Sequence, residues 1–390
     1  MKTKTLVILL IILGLVAGAG ALVMHVKSQG GSGSPLNKLI LENLPVNDIL
    51  SIHIKGPEKL VLLTKKSDRW VVENRFQYPA DFTKIADFVR KLKQTKIGRQ
   101  FESTQDTLKR LSLKNPDDKE AGESEKGTQV QLKDESGKLL ASLLLGKPRK
   151  SGTERSFPDG HYVRLDNDPT VYLIDTHFAH LQNEPSDWLD KTLLKVEAKE
   201  VKKVSCLSAD GKTTHYTFQR AEKGTDLETD ALPPDKKVDK SALNRLARSL
   251  SSLSMDDVLD PSDDSVVAEL KQSDTLEYHL FNGMIYRVYP GKACADDDPC
   301  YLKVEVGYQK PAEAEKPADK EKPAADDKAT SGKEARPEKS PEEVKLEAEQ
   351  LNGRLSPWVY MISKWQHNAF VTDLEDLLEK PDKTDTKKSG

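Results

Sequence analysis

The sequence predicts an α+β fold: two tandem repeats of antiparallel strands covered by helices, behind one N-terminal transmembrane helix. Three observations predict it. Residues 6–24 carry no charge, short alternating segments closed by turn residues recur through the body, and the order of those segments from Asp48 returns from Glu200. A chain of 390 residues has room for two ordinary domains plus linkers, because single cores seldom grow much beyond about 250 residues.

The membrane segment comes first. Lys2 and Lys4 precede the run LVILLIILGLVAGAGALVM at 6–24, and about 20 apolar residues let a helix cross a bilayer. Lysines before the run and a polar chain after it put the N-terminus inside and the body outside. The expectation is a single-pass protein of the bacterial inner membrane, with residues 1–26 as a signal anchor and the bulk of the chain in the periplasm. A cleaved signal peptide is the competing reading, since Ala19, Gly20 and Ala21 suit a peptidase, but the apolar run continues to Val26. Gly14 and Gly18 have the GxxxG spacing that lets helices approach closely, a weak signal in such a span. Residues 27–45, containing Gly30, Gly31, Ser32, Gly33 and Ser34, read as a flexible tether.

The first repeat is expected over 46–196. Ile52 and Ile54 alternate with His53 and Lys55, as in a half-buried strand. A hairpin follows, residues 60–63 against 70–72. Asp81 then precedes a helix whose Ile85, Phe88, Val89 and Leu92 share one face. Two more hairpins are predicted, TQVQLKD with KLLASLLLG and HYVRLD with TVYLID. A closing helical segment runs from His177 to Leu181 and on through Trp188.

The second repeat, expected from 197–309, follows the same order. EVKKVSCLSADG matches the opening strand, HYTFQRAEKGTDLE the hairpin, and Asp239 precedes a helix with Leu243, Leu246, Ala247 and Leu250 on one face. LEYHLFNGMIYRVYP turns at Asn282-Gly283, the dipeptide best able to take positive φ at both central positions. Residues 310–342 alternate Lys, Glu, Ala, Asp and Pro without aromatics, a composition that cannot offset its own ordering entropy. They read as a disordered charged insertion inside the second repeat. Residues 343–380 are expected to supply closing helices, and 381–390 a disordered tail.

The first repeat resembles the bacterial envelope family known as domain of unknown function 4340. The resemblance is carried by residues 48–54, the DRWVVEN strand with Trp70, the helix over 81–93, TLKRLSLKNP, GTQVQLKDESGKLLASLLLGKP, HYVRLDNDPTVYLID and DWLDKTLL. The second repeat resembles it more faintly. The resemblance implies a membrane anchor, an extracytoplasmic domain, and, by likeness of some members, an auxiliary place in gliding-motility-type ABC transporter systems. It implies no catalytic residues or cofactor, and the cysteine loop and long insertion depart from the family's pattern.

Candidate chemistry is sparse. A formal net charge of −3 leaves no basic excess for a phosphate backbone, so no nucleic-acid partner is expected. Cys294 and Cys300 bracket a short acidic segment and are expected to pair as a disulfide in an oxidising compartment. Cys206 reads as a small buried hydrophobe. Asp296, Asp297 and Asp298 lack the alternation of a calcium loop and read as an acidic surface. His177 and His180, with Asp175 before them, have a spacing that lets two ligands share a helix face, but no third ligand is near, and no metal site is expected. Ser32 lies in the tether without the pattern of a nucleophile elbow. Of the four tryptophans, Trp70 and Trp188 are expected in cores. Trp358 and Trp365, read as straddling one helix face, are the interface candidates.

These features predict a noncatalytic, membrane-anchored periplasmic interaction module without a cofactor. Its partners would be the membrane, through the N-terminal helix, and a protein of an envelope or ABC transporter complex. The alternative is an envelope hydrolase or metal-dependent enzyme whose acidic residues converge only in the fold.

Overall fold

In the computed structural model the described residues are 36–150, 158–166, 168–178, 181, 184–232, 235–260, 262–270, 272–292, 294–295, 298–311 and 339–379. The apolar run at 6–24, the centre of the insertion and the tail at 381–390 lie outside them. Among the described residues no helix is long and apolar enough to cross a membrane. The chain forms two compact units, one from the residues up to Trp70 with Phe82–Pro185, the other from Val71–Asp81 with the residues from Ser186 onward.

In the first unit, alternation sets the central strand. In β1 (Ser51–Lys55) every second side chain is buried. Ile52 lies opposite Leu63 of β2 (Leu60–Lys66), and Ile54 opposite Val61; all four are fully buried. The chain then turns through β3 (Arg69–Val72) and β4 (Tyr78–Pro79), the latter belonging to the second unit. Helix α1 (Phe82–Gln94) buries Ile85, Phe88, Val89 and Leu92, the predicted face. After it come β5 (Ile97–Glu102), α2 (Gln105–Arg110), β6 (Thr128–Lys133), β7 (Leu139–Lys150), β8 (Pro158–Leu165) and β9 (Thr170–Ile174). From β2 the sheet runs β2-β1-β6-β7-β8-β9-β5, antiparallel throughout this stretch. The short α2 was not foreseen. Its Leu108 joins Leu113, Leu144 and Val171 in a separate buried cluster.

Two features of this unit differ from the sequence reading. The tether was expected to extend to residue 45, yet Asn37 N–H donates to Ile97 O at 2.8 Å and Ile40 N–H to Thr95 O at 2.9 Å. Ile40 and Leu44 are buried, so the apolar residues after the glycines hold 36–45 in the fold. The closing helix expected from His177 through Trp188 is replaced, among the described residues, by a 3₁₀ turn over Pro185–Trp188. Pro185 disfavours a helical residue before it, which stops a helix from continuing across that point.

In the second unit the order of strands is the same. Its elements are β10 (Thr192–Leu194), β11 (Val201–Leu207), β12 (Thr214–Gln219), α3 (Lys240–Arg248), β13 (Leu253–Ser254), β14 (Asp257–Leu259), α4 (Asp264–Leu270), β15 (Thr275–Leu280), β16 (Met284–Pro290), β17 (Cys300–Tyr308), α5 (Pro341–Leu355), β18 (Val359–Ile362) and α6 (Lys364–His367). The main sheet runs β12-β11-β15-β16-β17-β18-β14. Matching β1 to β11 and each later strand in turn reproduces the seven-strand order of the first unit.

Register agrees as well. His161 faces Ile174 and Tyr162 faces Leu173 in the first unit; Cys300 faces Ile362 and Tyr301 faces Met361 in the second. The backbone links just before α1 and α3 also match, both sets lying within the second unit. Asp81 N–H donates to Trp188 O and Asp190 N–H to Pro79 O, while Asp239 N–H donates to Leu377 O and Glu379 N–H to Lys237 O. Asp239 caps α3, accepting from Ser241 and Ala242 N–H.

The unit boundary falls at 185/186, where the sequence placed the end of the first repeat at 196, and Val71–Asp81 belongs with the later residues. Side chains explain the assignment of that stretch. Arg75 Nε donates to both carboxylate oxygens of Asp257, at 2.9 and 3.0 Å, and Tyr78 packs edge-on against Trp358 and Tyr360. The turn at Asn282-Gly283 is also not the expected one. Only Gly283 takes positive φ, +91°, and the Asn282 side chain accepts from Met284 N–H instead. The insertion is narrower than 310–342, because Ser340 and Glu343 form a capping box that starts α5 at Pro341.

Candidate functional site

Where β16 ends and β17 begins, the second unit brings its cysteines and a histidine together. Gly291 N–H donates to Tyr301 O at 2.9 Å, closing the strand pair. Cys294 and Cys300 form a disulfide with Cα atoms 5.4 Å apart. Cys300 is buried as the first residue of β17, while Cys294 is half-buried. From the other side α6 follows β18, its four residues starting after Ser363. One turn this short points neighbouring side chains to opposite sides: His367 is fully buried, whereas Trp365 is 71% exposed.

His367 bridges the two sides. Its Nε2 lies 3.2 Å from Gly291 O and its Nδ1 3.9 Å from Cys294 Sγ. A carbonyl only accepts, so Nε2 carries the proton and Nδ1 is bare. A disulfide sulfur has no proton to give, so the Nδ1–Sγ approach is a contact between two acceptors. Burial holds the His367 pKa below its ordinary value, which keeps the ring neutral at pH 7. The donor atoms of Cys294, Cys300 and His367 all lie within 4.8 Å of one another, a grouping able to hold a metal ion only when the disulfide is reduced. The sequence reading expected no metal site and did not find this grouping, because His367 is 73 residues from Cys294.

The two tryptophans predicted on one helix face sit apart. Trp358 precedes β18 and lies half-buried, its ring centroid 5.1 Å from that of Tyr78 at 74°. With Tyr289, Lys303, Glu305 and Pro357 it lines a cleft of about 300 Å³, in which Tyr289 donates to Glu305 at 2.9 Å. Trp365 instead borders a cleft of about 530 Å³ with Asp239, Arg245 and Asp376, between α3 and the last described residues. The strand β18 separates the two rings in sequence, where the reading had one helix.

The remaining candidates have plainer places. Cys206 is buried at the position that Ile54 holds in the first unit, and burial pushes its thiol up to about 11, an unreactive group. Of the histidine pair, His177 is half-buried and His180 lies outside the described residues. The histidine with a defined role nearby is His161. Its Nε2 donates to Gly146 O at 2.7 Å and its Nδ1 accepts from Phe178 N–H at 3.0 Å, both ring nitrogens being used. Asp298 is exposed, and Asp296 and Asp297 lie outside the described residues. Trp70 and Trp188 are buried.

No curated protein and no solved structure matches the chain. A family model does, that of the domain of unknown function DUF4340, over residues 70–273. The match starts within β3 and runs past α4 into the second unit, so it takes in parts of both strand sets. Since it covers just over half of the sequence, the chain belongs to the DUF4340 family.

Proposed function

We propose that this protein is a noncatalytic envelope module, anchored in the inner membrane by residues 6–24, whose periplasmic body docks a protein of an envelope or ABC transporter complex. The observation that carries this reading is Trp365, a large aromatic side chain left 71% exposed at the edge of a cleft of about 530 Å³. Exposed tryptophans beside concave surfaces are favoured anchors for partner side chains, and α6 holds this one on a turn whose other side is locked into the interior. The shared strand order and register are taken as a duplication that doubled a strand-and-helix body.

A photo-reactive amino acid placed at Trp365 of the full chain, irradiated in intact cells, tests the docking surface. A discrete cross-linked membrane complex is expected, absent when the probe sits instead at exposed Lys212 on the β11–β12 turn. Equal labelling from both positions, or none from either, removes the docking role. A reporter enzyme active only outside the cytosol, fused after Gly390, tests the topology separately. Its inactivity would put the body in the cytosol.

A further inference from the structure

The donor set at the β16–β17 junction closes a disulfide in this structure and is also of the kind that holds a metal once its sulfurs are reduced. His367 fixes its tautomer on a backbone carbonyl, Nε2 to Gly291 O at 3.2 Å, and turns the bare Nδ1 toward sulfur at 3.9 Å. A disulfide sulfur offers that lone pair no proton, and among the described residues no donor to it is seen. Against thiols it gains a donor, and against a thiophilic cation it becomes a ligand, held by the same kind of carbonyl contact that orients metal-binding histidines elsewhere. The three donor atoms already stand within 4.8 Å of one another.

The first unit shows what the junction does without such chemistry. Cys300 occupies the register position of His161, each facing the last isoleucine of the neighbouring strand. There one imidazole spans from Gly146 O to Phe178 N–H and joins the strand pair to the segment after the final strand. In the second unit the same gap is spanned by two sulfurs and an imidazole drawn from three separate stretches of chain.

We propose that Cys294, Cys300 and His367 form a zinc site in the reduced protein, exchanged for the Cys294–Cys300 disulfide on oxidation. A dithiol reductant supplies two electrons and two protons: its thiolate attacks Cys294 Sγ, the half-buried sulfur, Cys300 Sγ leaves, and the second thiol of the reductant resolves the mixed disulfide as its own disulfide closes. Zinc then displaces the two thiol protons and takes Sγ, Sγ and Nδ1, with water in the fourth tetrahedral position. The cation replaces one cross-link with another at the same place.

The test uses the full chain in detergent, in a Cys206→Val background that removes the third thiol at a position where the first unit carries isoleucine. After anaerobic treatment with a dithiol, cobalt(II) is titrated as a spectroscopic stand-in for zinc. One equivalent is expected to give thiolate-to-cobalt charge-transfer absorption and tetrahedral ligand-field bands. The oxidised protein and the Cys294→Ser, Cys300→Ser double variant should show neither. His367→Asn should weaken binding about tenfold or more and shift the ligand-field bands.

Thermal melting provides a readout independent of cobalt: one equivalent of zinc should raise the melting temperature of the reduced protein and leave the oxidised protein unchanged. A disulfide that the dithiol does not open would overturn the proposal. So would reduced protein that gains neither absorption nor melting temperature, or a titration indifferent to His367→Asn.

Discussion

The two units run their strands in one order and pair them in one register, yet they close the same junction with different chemistry. In the first, His161 uses both ring nitrogens on backbone groups. In the second, Cys300 stands at that position, bonded to Cys294, and a histidine arrives from α6 to meet the equivalent glycine carbonyl. The comparison teaches that both units bridge this point, one through hydrogen bonds alone and the other with a covalent link. A hydrogen-bonded ring answers to pH; a pair of sulfurs answers to redox conditions.

Equivalent core positions give the sharpest way to break the comparison. Ile54 and Cys206 hold matching places, both buried, but truncation removes three carbons from one and a single sulfur from the other. Ile54→Ala should cost about 3 to 4 kcal/mol, and Cys206→Ala about 1 kcal/mol. Hydrogen exchange resolved by segment would assign each loss to its own unit, and equal costs would deny the equivalence.

Next in size is the disulfide. Replacing Cys294 and Cys300 by serine releases a short loop and should lower the stability of the second unit by about 2 kcal/mol. Segment-resolved exchange should find the β1–β2 pair of the first unit unaffected, and a loss shared by both would contradict separate junctions. Arg75→Ala follows, at about 1 to 2 kcal/mol. In the Arg75–Asp257 pair one Nε–H is shared between both carboxylate oxygens, and the pair is partly shielded, with side chains 28% and 19% exposed. Asp257→Ala should cost less in the Arg75→Ala background than it costs in the wild-type protein. Simple additivity in a double-mutant cycle would show that the two do not interact.

The smallest effect is the pH response of His161. Burial, with a lesser contribution from His177 and Lys91, holds its folded pKa below the ordinary 6.5. The unfolded state therefore takes up the proton first as pH falls. The stability this histidine lends is complete above pH 6.5 and is lost as pH drops from there toward the folded value, with a slope of at most about 1.4 kcal/mol per pH unit. His161→Gln should flatten that part of the urea-denaturation profile. An unchanged slope would mean that the ring is not buried neutral.

Much of the architecture was legible because it is written in local period. Ile52 and Ile54, the helix face from Ile85 to Leu92, and its counterpart around Leu246 all followed from alternation or three-four spacing. The pairing partners Cys294 and Cys300 were also close enough in sequence to be matched. What spacing does not carry is where distant segments meet. Arg75 reaches Asp257 across 182 residues, and His367 reaches the cysteine loop across 73. The tryptophans were misplaced for a related reason. A strand of four residues between Trp358 and Trp365 is too short to overrule the look of a helix. Buried Ile40 and Leu44 are the apolar signal that residues 36–45 pack, one that the glycines just before them hide.

The division of the chain has an evolutionary consequence. The polypeptide passes from one unit to the other after Trp70, returns after Asp81, and leaves again after Pro185. Modules joined by a single hinge can be shuffled, lost or borrowed by one recombination event. Here a crossover at 185 would strand Val71–Asp81 on the wrong side, parting Arg75 from Asp257 and Tyr78 from its aromatic neighbours. Descendants of this gene are thus bound to inherit both halves together, and any difference between them, such as histidine at 161 against cysteine at 300, has to arise by substitution within the joined pair.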